Sequence, residues 1–109
     1  MKLYTISRLS GGTLQLLCEA QTKNGVVRES RVGSFDIGNS SEGTKALALA
    51  IMNHYYGAGP SDPGATAEAQ RKAGPFLEAF LAHQQMPLGA KLEISSDVID
   101  RFFSLNQPA

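Results

Sequence analysis

Two stretches of the 109-residue chain hold residue types whose spacing could do chemistry. The first is Gly38-Asn39-Ser40-Ser41-Glu42-Gly43-Thr44-Lys45, a polar, glycine-bounded loop between an extended segment and an Ala/Leu-rich run. A phosphate-binding loop has this general form, but there lysine precedes the serine or threonine. Here Thr44 and Lys45 are exchanged, which turns the lysine about 100° around the helix and away from a bound phosphate. Glu42 adds a negative charge inside the loop, and the chain has little room for a magnesium-binding strand and a parallel sheet. The order therefore speaks against a nucleotide hydrolase. Two readings stand. One is a capped helix start, either an Asn39/Glu42 capping box or a cap from Ser40, Ser41 or Thr44. The other is a looser anion or ligand site on Ser40, Ser41, Gly43, Thr44 and Lys45, using free N–H groups and the helix dipole.

The second stretch is His54-Tyr55-Tyr56. A histidine beside two tyrosines suits acid–base work or a ligand pocket, with His54 and Tyr56 as the ligand-facing pair. Neighbours on a helix point about 100° apart, so His54 and Tyr55 do not converge on one atom, and packing at a helix end is the competing reading. His83 is the second histidine and Cys18 the single cysteine, and no carboxylates stand at ligand spacing, so the pattern predicts no metal centre. Cys18 has no local base to make it a nucleophile, and strand alternation makes it a buried small side chain. The chain is accordingly read as a non-enzymatic protein without a cofactor. Arg28 and Arg31 are either contacts for phosphate or an acidic protein, or solvated charges that discourage edge pairing. Phe102 and Phe103 are adjacent, so either both pack in the core or Phe103 faces a partner or a second copy.

These residues need a frame. The length suits one domain, and the balance of 42% hydrophobic and 18% charged residues is that of a globular chain. A lone cysteine, no apolar leader and no membrane-length apolar run predict a cytoplasmic protein with no membrane partner. Net charge is zero, which speaks against a nucleic-acid partner. The charge is nonetheless polarised: residues 1–35 carry five cations against two carboxylates, and residues 36–109 five against eight.

Leu3-Tyr4-Thr5-Ile6 reads as a strand closed by Ser10-Gly11-Gly12, and Leu14, Leu16, Cys18 and Ala20 alternate as a second. Asn24-Gly25 is a hairpin turn pair, with Val26–Val32 returning. That register sets Leu17 opposite Val32 and Cys18 opposite Arg31, with Leu17, Val26 and Val32 on one face. Ser34–Ile37 is a further short strand or a strand end. Lys45–Tyr56, free of glycine and proline and apolar all round, is a helix central to the core, stopping at Gly57. Gly57–Gly64 is a surface loop. Ala65–Ala73 is a weakly amphipathic helix, which Gly74-Pro75 either kinks or replaces by a new one. Phe76, Leu77, Phe80 and Leu81 form an apolar stripe, and Lys91–Ile94 is a short strand. A final helix from Ser96 to about Leu105 is entered through Ser95, flanked by Ile94 and Ile99 as a hydrophobic staple. The expected fold is α+β: an N-terminal antiparallel sheet of three to four strands packed on the central helix, with two or three further helices, in one domain spanning residues 1–109.

Residues 33–103 then show a further pattern. Phe35, Gly38 and the run Gly43-Thr44-Lys45-Ala46-Leu47-Ala48-Leu49-Ala50-Ile51-Met52 resemble the aromatic residue, glycine turn and Gly-Pro-Ala-Gln-Leu-Ala-Leu-Ala-Ile-Leu helix of an uncharacterised family of short proteins carried by phages, plasmids and integrated elements. Phe76, Phe80, Leu92, Ile94 and Ser95 match that family's aromatic pair, strand and helix cap. Thr44 and Ala46 replace its proline and glutamine, and the loop after Tyr56 is longer. The resemblance implies a mobile-element setting and carries no activity with it. Size, polarised charge and missing catalytic spacing together predict a binding protein that occupies a host or phage protein, one form being an inhibitor of a host defence protein. A small-molecule or nucleotide binder built on the Gly38–Lys45 loop is the alternative, and a homo-oligomer is a third possibility.

Overall fold

Period-two alternation builds the first layer. In the computed structural model, which describes residues 2–32, 35–57 and 63–105, three strands run as an antiparallel meander: β1 (Lys2–Arg8), β2 (Leu14–Thr22) and β3 (Gly25–Val32). A fourth, β4 (Lys91–Ser95), joins the free side of β1, giving the order β3-β2-β1-β4. Directly opposed residues share a face. Tyr4 lies between Cys18 and Ile94, and Ile6 between Leu16 and Leu92. With Leu14 these side chains form the sheet's share of the core.

The second layer is helical: α1 (Glu42–Tyr55), α2 (Pro63–Phe76) and α3 (Ser96–Leu105). α1 buries Leu47, Ala48, Ile51 and Met52 completely, while Ala46 is exposed and Leu49 half-buried. It is thus a one-sided rod, not apolar contact all round. α1 packs against β2 and α2, and α3 against β1 and β4. Ala69, fully buried on α2, keeps that helix face small where the helices meet. Ser95 Oγ accepts from the Val98 amide at 3.3 Å, and Ile94 and Ile99 are both buried, as the staple requires.

α2 passes through Gly74 and Pro75 without ending. Pro75 gives up one backbone donor, and Gly74 before it has no Cβ to strike the proline ring. A π-helical turn, Leu77–Leu81, follows directly, closed by the Ala82 amide on the Leu77 carbonyl at 2.8 Å. A π turn stacks residues five apart. Phe76 with Leu81, and Leu77 with Ala82, are all buried in that phase. An unbroken α-helix would set residues five apart about 140° away from each other.

Two sequence expectations need correction. The β2–β3 turn is Lys23-Asn24, with Thr22 opposite Gly25, so Leu17 faces Ser30, Cys18 faces Glu29, and Val32 faces Gln15. Gly25 alone takes a positive φ, +117°, and the Thr22 hydroxyl accepts from the Asn24 amide and donates to the Gly25 carbonyl. The shift is two residues, so each side chain keeps its expected face. Phe35–Ile37 is irregular and adds no strand, and Ser34 lies outside the described residues. Of the loop expected at Gly57–Gly64, residues 58–62 also lie outside them.

Gly38 locks the approach to α1 against the end of the π turn. Its φ is +83°, its amide donates to the Leu81 carbonyl at 2.8 Å, and a Cβ there would stand 2.5 Å from the Gln84 carbonyl oxygen. Gly57, past the end of α1, also has positive φ but faces open space. Gly38→Ala is expected to cost roughly 2 kcal/mol or more, since it meets both the backbone penalty and an immovable neighbour. Gly57→Ala should cost only the conformational part, about 1 kcal/mol. Urea denaturation of the two variants checks the order, and equal losses would refute the close approach at Gly38.

Candidate functional site

The loop before α1 spends its polar groups on itself. Asp36 Oδ1 accepts from the Ile37 amide at 2.8 Å, while Oδ2 accepts from Asn39 Nδ2 at 3.0 Å and from the Ser41 hydroxyl at 3.3 Å. Asn39 Oδ1 accepts from the Ser41 amide at 2.9 Å and from the Thr44 hydroxyl at 2.6 Å. Ser41 is the N-cap, its Oγ accepting from the Thr44 amide at 3.4 Å. Hydrogen bonds from Asn39 first, then from the Ile37 amide, hold the Asp36 carboxyl below the ordinary carboxylate range. A carboxylate of the chain thus stands beside the start of α1, where its charge disfavours an incoming anion, and Thr44 is fully buried. The capped helix start is the reading this geometry favours, with Ser41 and not an Asn39/Glu42 box as the cap. Glu42 instead lies 3.4 Å from Lys45 Nζ on the exposed side.

Ser40 and Lys45 serve a different place. They stand at one end of a groove of about 440 Å³ between α1 and α2, floored by Leu49, Ala73, Gly74 and Leu77 and flanked by Gln70 and Glu78. No local sequence signal announces this groove, because its two walls are more than twenty residues apart.

The other end of α1 splits the His54/Tyr56 pair. His54 turns toward the sheet, where its Nδ1 is 3.0 Å from the Tyr4 hydroxyl, ring edge to ring face. With the phenol as donor, Nδ1 accepts and the neutral ring carries its proton on Nε2. Burial, then the nearby Lys2 cation, lowers the His54 pKa. Burial raises that of Tyr4 and pushes the Cys18 thiol up to about 11, which leaves no thiolate for nucleophilic work near neutral pH. Lys2 Nζ donates to the His54 and Tyr55 carbonyls at 2.7 and 3.0 Å and so closes the helix C-terminus. Tyr56 turns the other way, packing edge-on against Tyr55 in a polar cleft of about 320 Å³ with Glu68, Lys72, Asp100, Phe103 and Ser104. The Tyr55 hydroxyl donates to Asp100 Oδ1 in that cleft. Sequence reading missed Lys2, Tyr4 and Asp36. Tyr4 belongs to a run legible only as a strand, and nothing local points it at residue 54.

β3 is the exposed element. Val26, Arg28, Ser30 and Val32 lie on the open face of the sheet, and Val27, Glu29 and Arg31 on the face that elsewhere carries helices. Val27 is 55% and Val32 59% exposed, so neither side of this strand is covered. Arg28 is paired with Glu19 at 3.1 Å on the open face, and Arg31 stands 3.7 Å from Glu29 on the other. Arg28 and Arg31 therefore point to opposite faces and do not form one cationic patch. Phe103 is 8% exposed, with Lys72 Nζ 5.1 Å from its ring centre, so it offers a protein partner little surface; this corrects its expected role as a contact residue.

Among the described residues no cluster of His, Cys, Asp or Glu is arranged to hold a metal ion, and no helix is long and apolar enough to cross a membrane. No protein-family model matches the chain, and neither a curated protein nor a solved structure is significantly similar to it.

His54 makes stability depend on pH. The unfolded imidazole takes up a proton as pH falls through about 6.5, whereas the folded one resists until its lowered value is reached. The His54 contribution is therefore complete above about 6.5, is lost as pH falls from there toward the lowered folded value, and changes no further below it. Asp36 adds a separate loss below its ordinary value of 3.8, because its folded carboxyl stays ionised longer. Urea midpoints measured between about pH 7 and about pH 5 should fall for the wild type and stay flatter for His54→Gln. Parallel curves would show that His54 is not the group responsible.

Proposed function

We propose that the chain is a non-enzymatic binding protein that acts by occupying another protein, with β3 as its contact element. The resemblance of residues 33–103 to short phage and plasmid proteins supports a mobile-element setting and a bacterial host protein as the target, a defence protein being one specific form. The observation that carries this reading is the position of β3: an eight-residue strand at the sheet edge, open on both faces. Its outer row of backbone N–H and C=O groups is the surface on which a partner's extended segment adds as a further strand. Arg28, Glu29 and Arg31 then select among partners by charge. Immobilised wild-type protein is expected to capture a discrete host protein, and Arg28→Gln with Arg31→Gln to lose it while staying folded, since exposed ion pairs of this kind contribute at most about 1 kcal/mol. Capture of the same protein by both forms, or steady turnover of any substrate by the pure protein, would refute this reading.

The α1–α2 groove favours a second reading. Its floor is aliphatic, and Lys45 and Glu78 stand at its margin, so its chemistry suits a small molecule with an apolar body and one polar end more than a nucleotide. A ligand held at about 100 times its Kd stabilises a fold by about 2.7 kcal/mol, a readily measured rise in Tm. Medium-chain amphiphiles should raise the Tm and nucleotides should not, and Ala73→Phe, which fills the groove, should abolish the rise. A nucleotide response that survives Ala73→Phe would move the ligand elsewhere.

A further inference from the structure

The charge order of β3 specifies a partner for it. We infer that, when the protein is alone in solution, the strand added to β3 is β3 of a second copy, antiparallel about a two-fold axis at Ser30. This rests on the reading of β3 as a contact strand and names its occupant.

The reasoning is one of register. A two-fold axis normal to the sheet keeps each residue on its own face, so a residue can oppose only one of the same parity. Within Gly25–Val32, four such registers pair five or more residues, centred on Val27, Arg28, Glu29 or Ser30. The axis at Arg28 sets arginine against arginine, and the axis at Glu29 sets glutamate against glutamate. Like charges directly opposed are destabilising. The axis at Val27 joins no opposite charges. The axis at Ser30 sets Glu29 opposite the second copy's Arg31, and Arg31 opposite its Glu29. It also lays Arg28 beside Val32, where the arginine stem covers the valine and the guanidinium stays with Glu19.

Glu29 and Arg31 already approach to 3.7 Å within one strand, on the face that carries no helix at this position. The second copy would complete a square of four alternating charges there. Two four-stranded sheets would become one of eight, and the outer N–H and C=O groups of both edges would be satisfied together. The paired stretch is short and half-exposed, so the dimer is expected to be weak and salt-sensitive.

Sedimentation equilibrium of the full chain, with Tm recorded for each variant, tests this. The wild type should show a monomer–dimer equilibrium. Arg31→Glu and Glu29→Arg should each weaken it by about tenfold or more, by setting like charges together twice per dimer. The double exchange Glu29→Arg with Arg31→Glu should restore it. Ser30→Cys, treated with oxidised glutathione, should form a covalent dimer, since the two residues at the axis face each other; Val27→Cys should not. Cys18, 1% exposed, does not compete. A monomer at every concentration overturns the inference, and so does a dimer indifferent to the single reversals or cross-linked through position 27. If the protein is monomeric yet β3 amides become protected by a captured host protein, the binding reading stands and this inference alone falls. If neither self-association nor such protection occurs, both fall.

Discussion

Two helices must cover a sheet of four strands, and because both lie over β1 they leave β3 bare. An α-helix with its side chains is about 10 Å across, while strands are spaced about 4.8 Å apart. One helix therefore shields about two strands. α1 packs on β2 and reaches β1 through Tyr4 and Lys2, and α3 packs on β1 and β4, so the two overlap on β1 and β3 lies outside both. Tyr4, Ile6, Leu14, Leu16, Cys18 and Ile94 lie beneath them and vanish from solvent together with Leu47, Ile51 and Met52. At about 1.5–3 kcal/mol for each large side chain fully buried, that shared core is the main favourable term in this fold. β3 gains none of it. It is held by its ladder to β2 and by the Lys23-Asn24 turn.

The same helix is closed chemically at both tips by the chain itself. Asp36 brings a negative charge to the N-terminus of α1 through Asn39 and Ser41, and Lys2 brings a positive one to its C-terminal carbonyls. Both signs match the helix dipole. They also tie the loop before α1 and the first strand to the rod at its centre. A helix so terminated carries a charge of the chain's own at each end, matched in sign to its dipole. The surfaces that the core does not require, and on which the proposed recognition would fall, are the β3 edge and the seam between α1 and α2, lined by Leu49, Ala73 and Leu77.

Much of this frame is legible in the residues. Strand formers closed by a glycine turn locate β1, alternation locates β2, the Asn24-Gly25 signal locates β3, and the Ala/Leu run locates α1 to within three residues of its start. The serine cap and flanking isoleucines located α3. What was not legible depends on contacts far apart in sequence. The Asn24-Gly25 pair signals a tight turn, but whether Asn24 enters the left-handed region is decided by Thr22, whose hydroxyl ties the turn one residue earlier. Pro75 signals a break, yet the five-residue spacing of Phe76, Leu77, Leu81 and Ala82 is satisfied by a widened turn, so the chain keeps winding. Glu42 suits a capping box by spacing, but Asn39 is held by Asp36 and Thr44 and leaves the cap to Ser41. At the site, Arg28 and Arg31 were visible as exposed strand charges. Phe103 was ambiguous, because two adjacent aromatics carry no local indication of which one turns inward.

An edge strand that the helices leave bare is a hazard, since any extended segment can add to it. The valines of β3 increase that hazard, and its charges limit it. A run of one sign would repel every copy in every register. The order Arg28-Glu29-Ser30-Arg31 does something narrower. Arg28 is engaged with Glu19 on the open face, so the discriminating pair is Glu29 and Arg31 on the other, two residues apart with opposite signs. Such a pair rejects registers that align it with itself and accepts those that invert it. The strand's selectivity then resides in position along the edge and not in contact area. That is the form of recognition the proposed pairing would use, on a strand which contributes almost nothing to the core and whose side chains answer chiefly to their neighbours on β2.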